Sequence, residues 1–321
     1  MTLSTQLHIV TGKGGTGKTT VAAALAMALA DQGKKVLLCE VEGRQGIAQL
    51  FDVPPLPYEE RKVAVGLGGG EVYALAIDPE AALLEYLAMY YRLGRAGKIL
   101  DRFGIIDFAT TIAPGLRDVL LTGKVYEAAR RKNDTKFVYD AVIMDAPPTG
   151  RIVRFLNVNT EVAGLAKVGP IRRQSDSIMQ MMRSATTRVH LVTVLEEMPV
   201  QETIDGIAGL GQERLPVGHV ILNLVRPALF SAETGAAISG GTLTAAKVGA
   251  SLKKAALDTG AAAALLEEGQ AHIERQSLQD RQRDALNGEA ERLAELPWLS
   301  DGIDLGALFE LAEILKEGGV L

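Results

Sequence analysis

The chain reads as an α/β protein with a mostly parallel sheet flanked by helices, on three observations. Short apolar runs of strand length alternate with longer helical patterns, as parallel strands and crossover helices require. The first run leads into a glycine-rich stretch that opens directly into an alanine-rich helical segment. Several runs end on a polar or acidic residue, and open parallel sheets bind ligands outside the carboxyl ends of their strands. The runs cover residues 6–10, 35–40, 72–77, 139–145, 189–195 and 218–223, with a short one near 296–299. Thr11, Glu40, Asp145, Glu196 and Asn223 fall at their ends.

Between the strands, two stretches exceed what simple crossovers need. The expected organisation is one domain over residues 1–321, with a helical subdomain built from about 79–132 and 158–184. The first stretch spaces Ala82, Leu83, Tyr86, Leu87 and Tyr90 helically, beside Met89 and Tyr91; the second carries Ile178, Met179, Met181 and Met182. Such side chains either pack on the sheet or line an adaptable apolar groove for a partner. Residues 231–295 contain no Phe, Trp or Tyr and read as a peripheral, mostly solvated helical arm. A last helix over 305–316, with Leu305, Leu308, Phe309, Ala312 and Ile314 at roughly helical spacing, should close the domain.

Composition narrows the function classes. A hydrophobic content of 47% against 23% charged residues supports an ample core, and a net charge of −5 argues against general affinity for nucleic acid or anionic membranes. The opening residues lack a charged segment followed by a long apolar core, so no secretory signal is expected. No apolar run approaches bilayer length, so direct membrane insertion is not expected either. Cys39 is the single cysteine, which leaves no pair for an internal disulfide, a C-x-x-C zinc site or a three-thiolate metalloid site. The expected compartment is the cytoplasm. His8, His190, His219 and His272 are far apart in sequence, and a hydrogen-bonded structural role is favoured over metal ligation.

The chemistry begins at Gly12-Lys13-Gly14-Gly15-Thr16-Gly17-Lys18-Thr19-Thr20. It satisfies G-x-x-x-x-G-K-[ST] between a buried strand and a helix start, which makes a phosphate cradle of backbone N–H groups and helix dipole. Lys18 is expected on the β- and γ-phosphates of a nucleoside triphosphate and Thr19 on Mg²⁺. Gly12, Gly14 and Gly17 also spell the dinucleotide pattern G-x-G-x-x-G, with Glu40 and Glu42 near where a ribose-binding acid would lie. That alternative has no use for a lysine and a hydroxyl directly after its last glycine.

Two further segments fit the triphosphate reading. The strand at 139–145 ends in Asp145, placed to hold the Mg²⁺ shell opposite Thr19, and Ala146-Pro147-Pro148-Thr149-Gly150 follows as a tight loop. The Gly150 N–H is a candidate γ-phosphate contact and the loop a candidate switch. Glu42, in Glu40-Val41-Glu42-Gly43-Arg44-Gln45-Gly46, is the candidate to position the attacking water. Arg44 would face phosphate or a partner subunit, or simply solvent.

The early Lys13 makes this loop resemble the deviant P-loop of the ATPases that include the arsenite pump, the tail-anchored-protein targeting ATPase, the septum-positioning and partition ATPases and the nitrogenase iron protein. Asp145-Ala146-Pro147-Pro148-Thr149-Gly150-Arg151 with Arg154-Phe155-Leu156 is similar to the D-T-A-P-T-G-H-x-x-R-F-L switch of the arsenite-pump and tail-anchored-targeting branch. Ile77-Asp78-Pro79, Ala113-Pro114-Gly115-Leu116 and Val220-Ile221-Leu222-Asn223 extend the likeness over most of 6–230, and it returns weakly near 296–299. The resemblance implies that Lys13 reaches the phosphates of a second subunit in a homodimer or a heterodimer with a paralogue. It also implies that Asn223 contacts adenine, that ATP and Mg²⁺ are the cofactors, and that a protein client or membrane transporter is the partner. The branch's first switch reads D-P-A-H, whereas Glu42-Gly43-Arg44-Gln45 stands here, so turnover is expected to be slower or partner-dependent. The zinc and arsenite cysteines of the branch are absent, so neither of those functions is inherited. The alternatives are an ATP-binding regulatory subunit with little turnover of its own and a partition ATPase acting on DNA or membrane.

Overall fold

Alternation along each strand splits the core in two. In β2 (Lys35–Glu40), Leu37 and Cys39 join one buried cluster while Val36 and Leu38 join the other, because successive strand side chains face opposite ways. The computed structural model describes residues 6–91, 115–165 and 170–321. Besides β2, the strands are β1 (Leu7–Gly12), β3 (Arg61–Val65), β4 (Glu71–Ala76), β5 (Lys132–Asn133), β6 (Lys136–Phe137), β7 (Ala141–Asp145), β8 (Thr187–Thr193), β9 (Val217–Val225) and β10 (Leu293–Pro297). Eight of them form one sheet in the order β10-β9-β8-β1-β7-β2-β4-β3, parallel except for β3, which runs antiparallel on the β4 edge. The hairpin β5–β6 stands apart. Every strand predicted from the sequence is present, whereas β3 and the β5–β6 hairpin were not anticipated.

The helices are α1 (Lys18–Asp31), α2 (Gly46–Leu50), α3 (Pro79–Tyr91), α4 (Leu116–Arg130), α5 (Thr149–Leu165), α6 (Pro170–Met182), α7 (Glu197–Gln212), α8 (Ala232–Ser239), α9 (Ala245–Lys254), α10 (Ala262–Asn287) and α11 (Leu305–Glu317). Residues Val21 to Ala30 of α1 are at most 1% exposed, since the sheet lies beneath and α11 above. Six of its residues between Ala22 and Ala30 are alanines, which lets neighbours approach closely on every side. The Asp304 carboxylate caps α11 by accepting from the Ala307 N–H at 2.8 Å. Leu308, Leu311, Ala312 and Leu315 face inward; Leu305, expected on that face, is exposed because it is the first helical residue.

Ile178, Met179 and Met182 are buried and Met181 packs against the same cluster, so these residues fill the core rather than line a partner groove. Ala82 and Leu83 are buried likewise. The side chains of Tyr86, Leu87, Met89, Tyr90 and Tyr91, and the whole of Ala113-Pro114, lie outside the described residues. Residues 231–295 hold α8, α9 and α10, with α9 lacking any buried residue, and end in strand β10.

A row of histidines crosses three central strands. The His190 Nδ1 accepts the His219 backbone N–H at 3.2 Å, so its proton sits on Nε2, 3.1 Å from His8 Nδ1. The rings stack at 5.4 Å and 6.0 Å. Burial, with His8, His219 and Arg188 adding positive charge, holds His190 well below the ordinary imidazole range.

Candidate functional site

β1 lies between β8 and β7, so its carboxyl end opens between crossovers that leave in opposite directions. Gly12 pairs with Val192, and a Cβ there would stand 2.2 Å from the Val192 carbonyl oxygen, so only glycine lets the loop leave the sheet here. Gly15 (φ 88°) and Gly17 (φ 85°) adopt the left-handed conformation that costs glycine nothing. Gly14 and Gly15 are exposed, and a Cβ on either would meet nothing within 4 Å. The Thr16 hydroxyl donates to the Lys13 carbonyl at 2.8 Å, and the Asn223 amide donates to the Thr16 carbonyl at 2.9 Å. Asn223 therefore buttresses the loop from β9, packed directly on Gly17. Lys18 is 8% exposed and Thr20 half-buried in the first turn of α1.

The Thr19 hydroxyl donates to Asp145 Oδ2 at 2.7 Å, as the sequence pairing anticipates. Asp145 is buried, and its Oδ1 has no hydrogen-bond partner. Burial pushes its carboxyl up to about 6; the Glu40 and Glu42 charges add to this, while the Thr19 hydroxyl and Lys18 oppose it. A buried carboxylate with one unsatisfied oxygen beside a threonine hydroxyl is a donor set that suits a hard divalent cation. Beyond Asp145, the Ala146 N–H donates to the Val10 carbonyl at 2.9 Å and the Thr11 hydroxyl to the Pro147 carbonyl at 2.7 Å. These bonds place the first turn of α5 beside the loop, with Gly150 exposed, a Cβ there meeting nothing within 4 Å, and the buried Thr149 hydroxyl unpartnered.

On the other flank Glu40, 2% exposed, ends β2 in register with Asp145. Its carboxylate accepts the Gln45 N–H at 2.5 Å and the Ile47 N–H at 3.2 Å. Glu42 is half-buried, and the exposed Arg44 approaches it at 3.7 Å rather than the phosphate loop. The Gln45 side chain bridges both polar atoms of Leu56, at 2.7 and 3.1 Å. From there the chain reaches Tyr58, whose hydroxyl donates to Glu85 of α3 at 2.5 Å, and Lys124 of α4 holds the same carboxylate at 2.8 Å.

The structure thus brings together Gly12 to Thr20, Asp145, Gly150 and Asn223, with Glu42 on the adjoining loop. Lys13 is turned onto α7, its Nζ 2.5 Å from Glu202 Oε1, both side chains about a third exposed (32% and 33%). Glu202 was not anticipated: a glutamate on a helix 189 residues away carries no local signal. Nor was the grip of Glu40 on its own loop, although its position at a strand end marked it.

This fold and site define a P-loop nucleoside triphosphatase. The family model described as anion-transporting ATPase matches residues 5–188. The chain is 54% identical over 321 residues to ATPase BagA of Mycobacterium tuberculosis, covering 98% of this chain and 94% of that one. It is 27% identical over 239 residues to the arsenical pump-driving ATPase of Escherichia coli, over 68% of this chain and 39% of that one. With ATPase get3 of Pyrenophora tritici-repentis it shares 28% over 214 residues, 62% of this chain and 59% of that one. The chain belongs to the anion-transporting ATPase family and is an ATPase, which bears out the resemblance read from Lys13 and the Asp145 segment. Among the described residues, no helix is long and apolar enough to cross a membrane.

Proposed function

We propose that the chain is a dimeric ATP-driven switch, in which two copies, or one copy and a paralogue, close on Mg-ATP and couple its hydrolysis to binding or release of a protein client or a membrane transporter. The observation that carries this reading is the Thr19–Asp145 pair, with its spare buried oxygen, at the foot of an open glycine loop. Thr19 and Asp145 would hold Mg²⁺, which when bound neutralises phosphate charge. The N–H groups of Gly12 to Thr20 and the Lys18 ammonium bind the phosphates, and Gly150 presents its N–H to the γ-phosphate. Glu42 orients water. Asn223 serves the loop through its amide and adenine through what remains of its polar edge. Lys13 leaves Glu202 to meet the phosphates held by the other subunit. Cys39, wholly buried with its thiol pushed up by desolvation, suits a reducing cytoplasm. The experiment is steady-state phosphate release from Mg-ATP beside Lys18→Ala. Release lost in the variant supports the assignment; equal release in both refutes it.

A second reading, an ATP-binding regulatory subunit that depends on a paralogue, is favoured by one observation. Glu42 replaces the shorter aspartate of the related switch and lies near Arg44 instead of standing free. It predicts ATP binding with negligible release until a partner is added.

A further inference from the structure

We infer that Glu40 is a positioning residue for ATP hydrolysis: it fixes the geometry of the loop that carries Glu42. This inference rests on the reading of Glu42 as the water-orienting group. Four observations support it. Glu40 is almost completely buried at the carboxyl end of β2, where an unpaired carboxylate would be costly. Each of its oxygens accepts a backbone N–H from the loop it precedes, Oε1 from Gln45 and Oε2 from Ile47. The loop needs such an anchor, because Gly43 (φ 67°) and Gln45 (φ 58°) both sit in the left-handed region and Gln45 is not a glycine. On the far side Gln45 is itself clamped to Leu56. Glu42 thus lies on a short span tied at both ends, with the buried Val41 before it.

A glutamate suits this duty because it offers two charged acceptors to two donors. Glutamine has the same shape but one acceptor, and its NH₂ would point at an N–H. Aspartate keeps both acceptors and loses one methylene of reach. Neither change replaces a residue that would meet the nucleotide, and Glu40→Gln also removes a negative charge that pushes the Asp145 carboxyl up, so nucleotide binding should persist while the orientation of Glu42 is lost. A misplacement near 1 Å can cost roughly 10²-fold in turnover.

The test compares wild type, Glu40→Gln, Glu40→Asp, Glu42→Gln and the Glu40→Gln/Glu42→Gln pair. Single-turnover ATP hydrolysis, affinity for a non-hydrolysable ATP analogue and amide hydrogen exchange over residues 43–50 are measured on each. The expected result is a fall in the hydrolysis rate on the order of 10- to 100-fold in Glu40→Gln, with analogue affinity kept and faster exchange at Gln45 and Ile47. Glu40→Asp should lie in between, and Glu40→Gln should add nothing in the Glu42→Gln background. A normal rate in Glu40→Gln while Glu42→Gln is slow overturns the role of Glu40 alone. A normal rate in Glu42→Gln overturns the reading of Glu42, and with it the route through that residue. Parallel loss of analogue affinity and rate in Glu40→Gln would mean general collapse of the site, and would also overturn the inference.

Discussion

The tightest backbone approach at the site makes Gly12→Ala a sharp perturbation. An added Cβ would lie 2.2 Å from the Val192 carbonyl oxygen, 3.0 Å from its carbon and 2.8 Å from the Thr16 hydroxyl, where ordinary contact begins near 3.4 Å. The hydroxyl can rotate away, but β8 cannot, because it is paired with β9 on its other side. β1 and β8 must therefore part by about 1 Å in a close-packed core. Overpacking of this kind costs up to about 3 kcal/mol. Gly12 is not in the left-handed region, so alanine recovers about 0.4–1 kcal/mol from the unfolded chain. The balance is a destabilisation of about 2 kcal/mol, accompanied by weaker nucleotide binding as the loop shifts. Urea unfolding gives the first quantity and titration with an ATP analogue the second. Gly14→Ala is the control, since a methyl there meets no protein atom and should leave stability within about 0.5 kcal/mol while crowding the phosphates. A Gly12→Ala variant within about 0.5 kcal/mol of wild type would refute the reasoning.

Two more perturbations probe the site and the core. Glu202→Gln should leave stability almost unchanged, because its partly exposed pair with Lys13 is worth no more than about 1 kcal/mol. It should preserve ATP-dependent dimerisation in light scattering, whereas Lys13→Ala should abolish it; equal loss in both would show that the pair is required rather than released. Protonation of His190 would set a donor against the His219 N–H, and its folded pKa lies below the unfolded value near 6.5. The unfolded state thus binds the proton more tightly, so this contribution is complete above about pH 6.5 and is lost as pH falls, with a slope of at most about 1.4 kcal/mol per pH unit. The urea midpoint should drop more steeply below pH 6.5 in wild type than in His190→Asn; parallel curves would count against the histidine row.

What the sequence disclosed and what it hid follow from the range of the interactions. The strands that end in Glu40, Asp145 and the Asn223 segment are buried on both faces, so they read as continuous apolar runs. The glycine loop is legible because its function requires those residues in consecutive order. β3 escaped notice because this short edge strand, Arg61-Lys62-Val63-Ala64-Val65, is opened by two exposed charges and packs only Val63 and Ala64 on the core, too little for a clear alternation. The pairing of Glu202 with Lys13 and the bond of Asn223, itself marked by its strand end, to the Thr16 carbonyl are set by folding alone. Periodicity suggested Leu305 for the inner face of α11, yet Leu311 and Leu315 hold it, since a helical pattern leaves its phase open by a residue or so.

The enclosure of α1 has a kinetic meaning. A helix with solvent on one side can tilt or slide into that space, but one wrapped by the sheet, α2 and α11 has nowhere to go without opening the core. Lys18 and Thr19, at its amino end, are therefore fixed to an enclosed helix, in the manner of a stator. Whatever strain the exchange of ATP for ADP creates must be absorbed by the segments hung from the strand ends around it, residues 41–50 and 146–151. Arg151 ties the second loop to Asp118 of α4, and Gln45 ties the first to Leu56, two residues before the Tyr58 that bonds Glu85 of α3, so the outer helices are where that strain arrives.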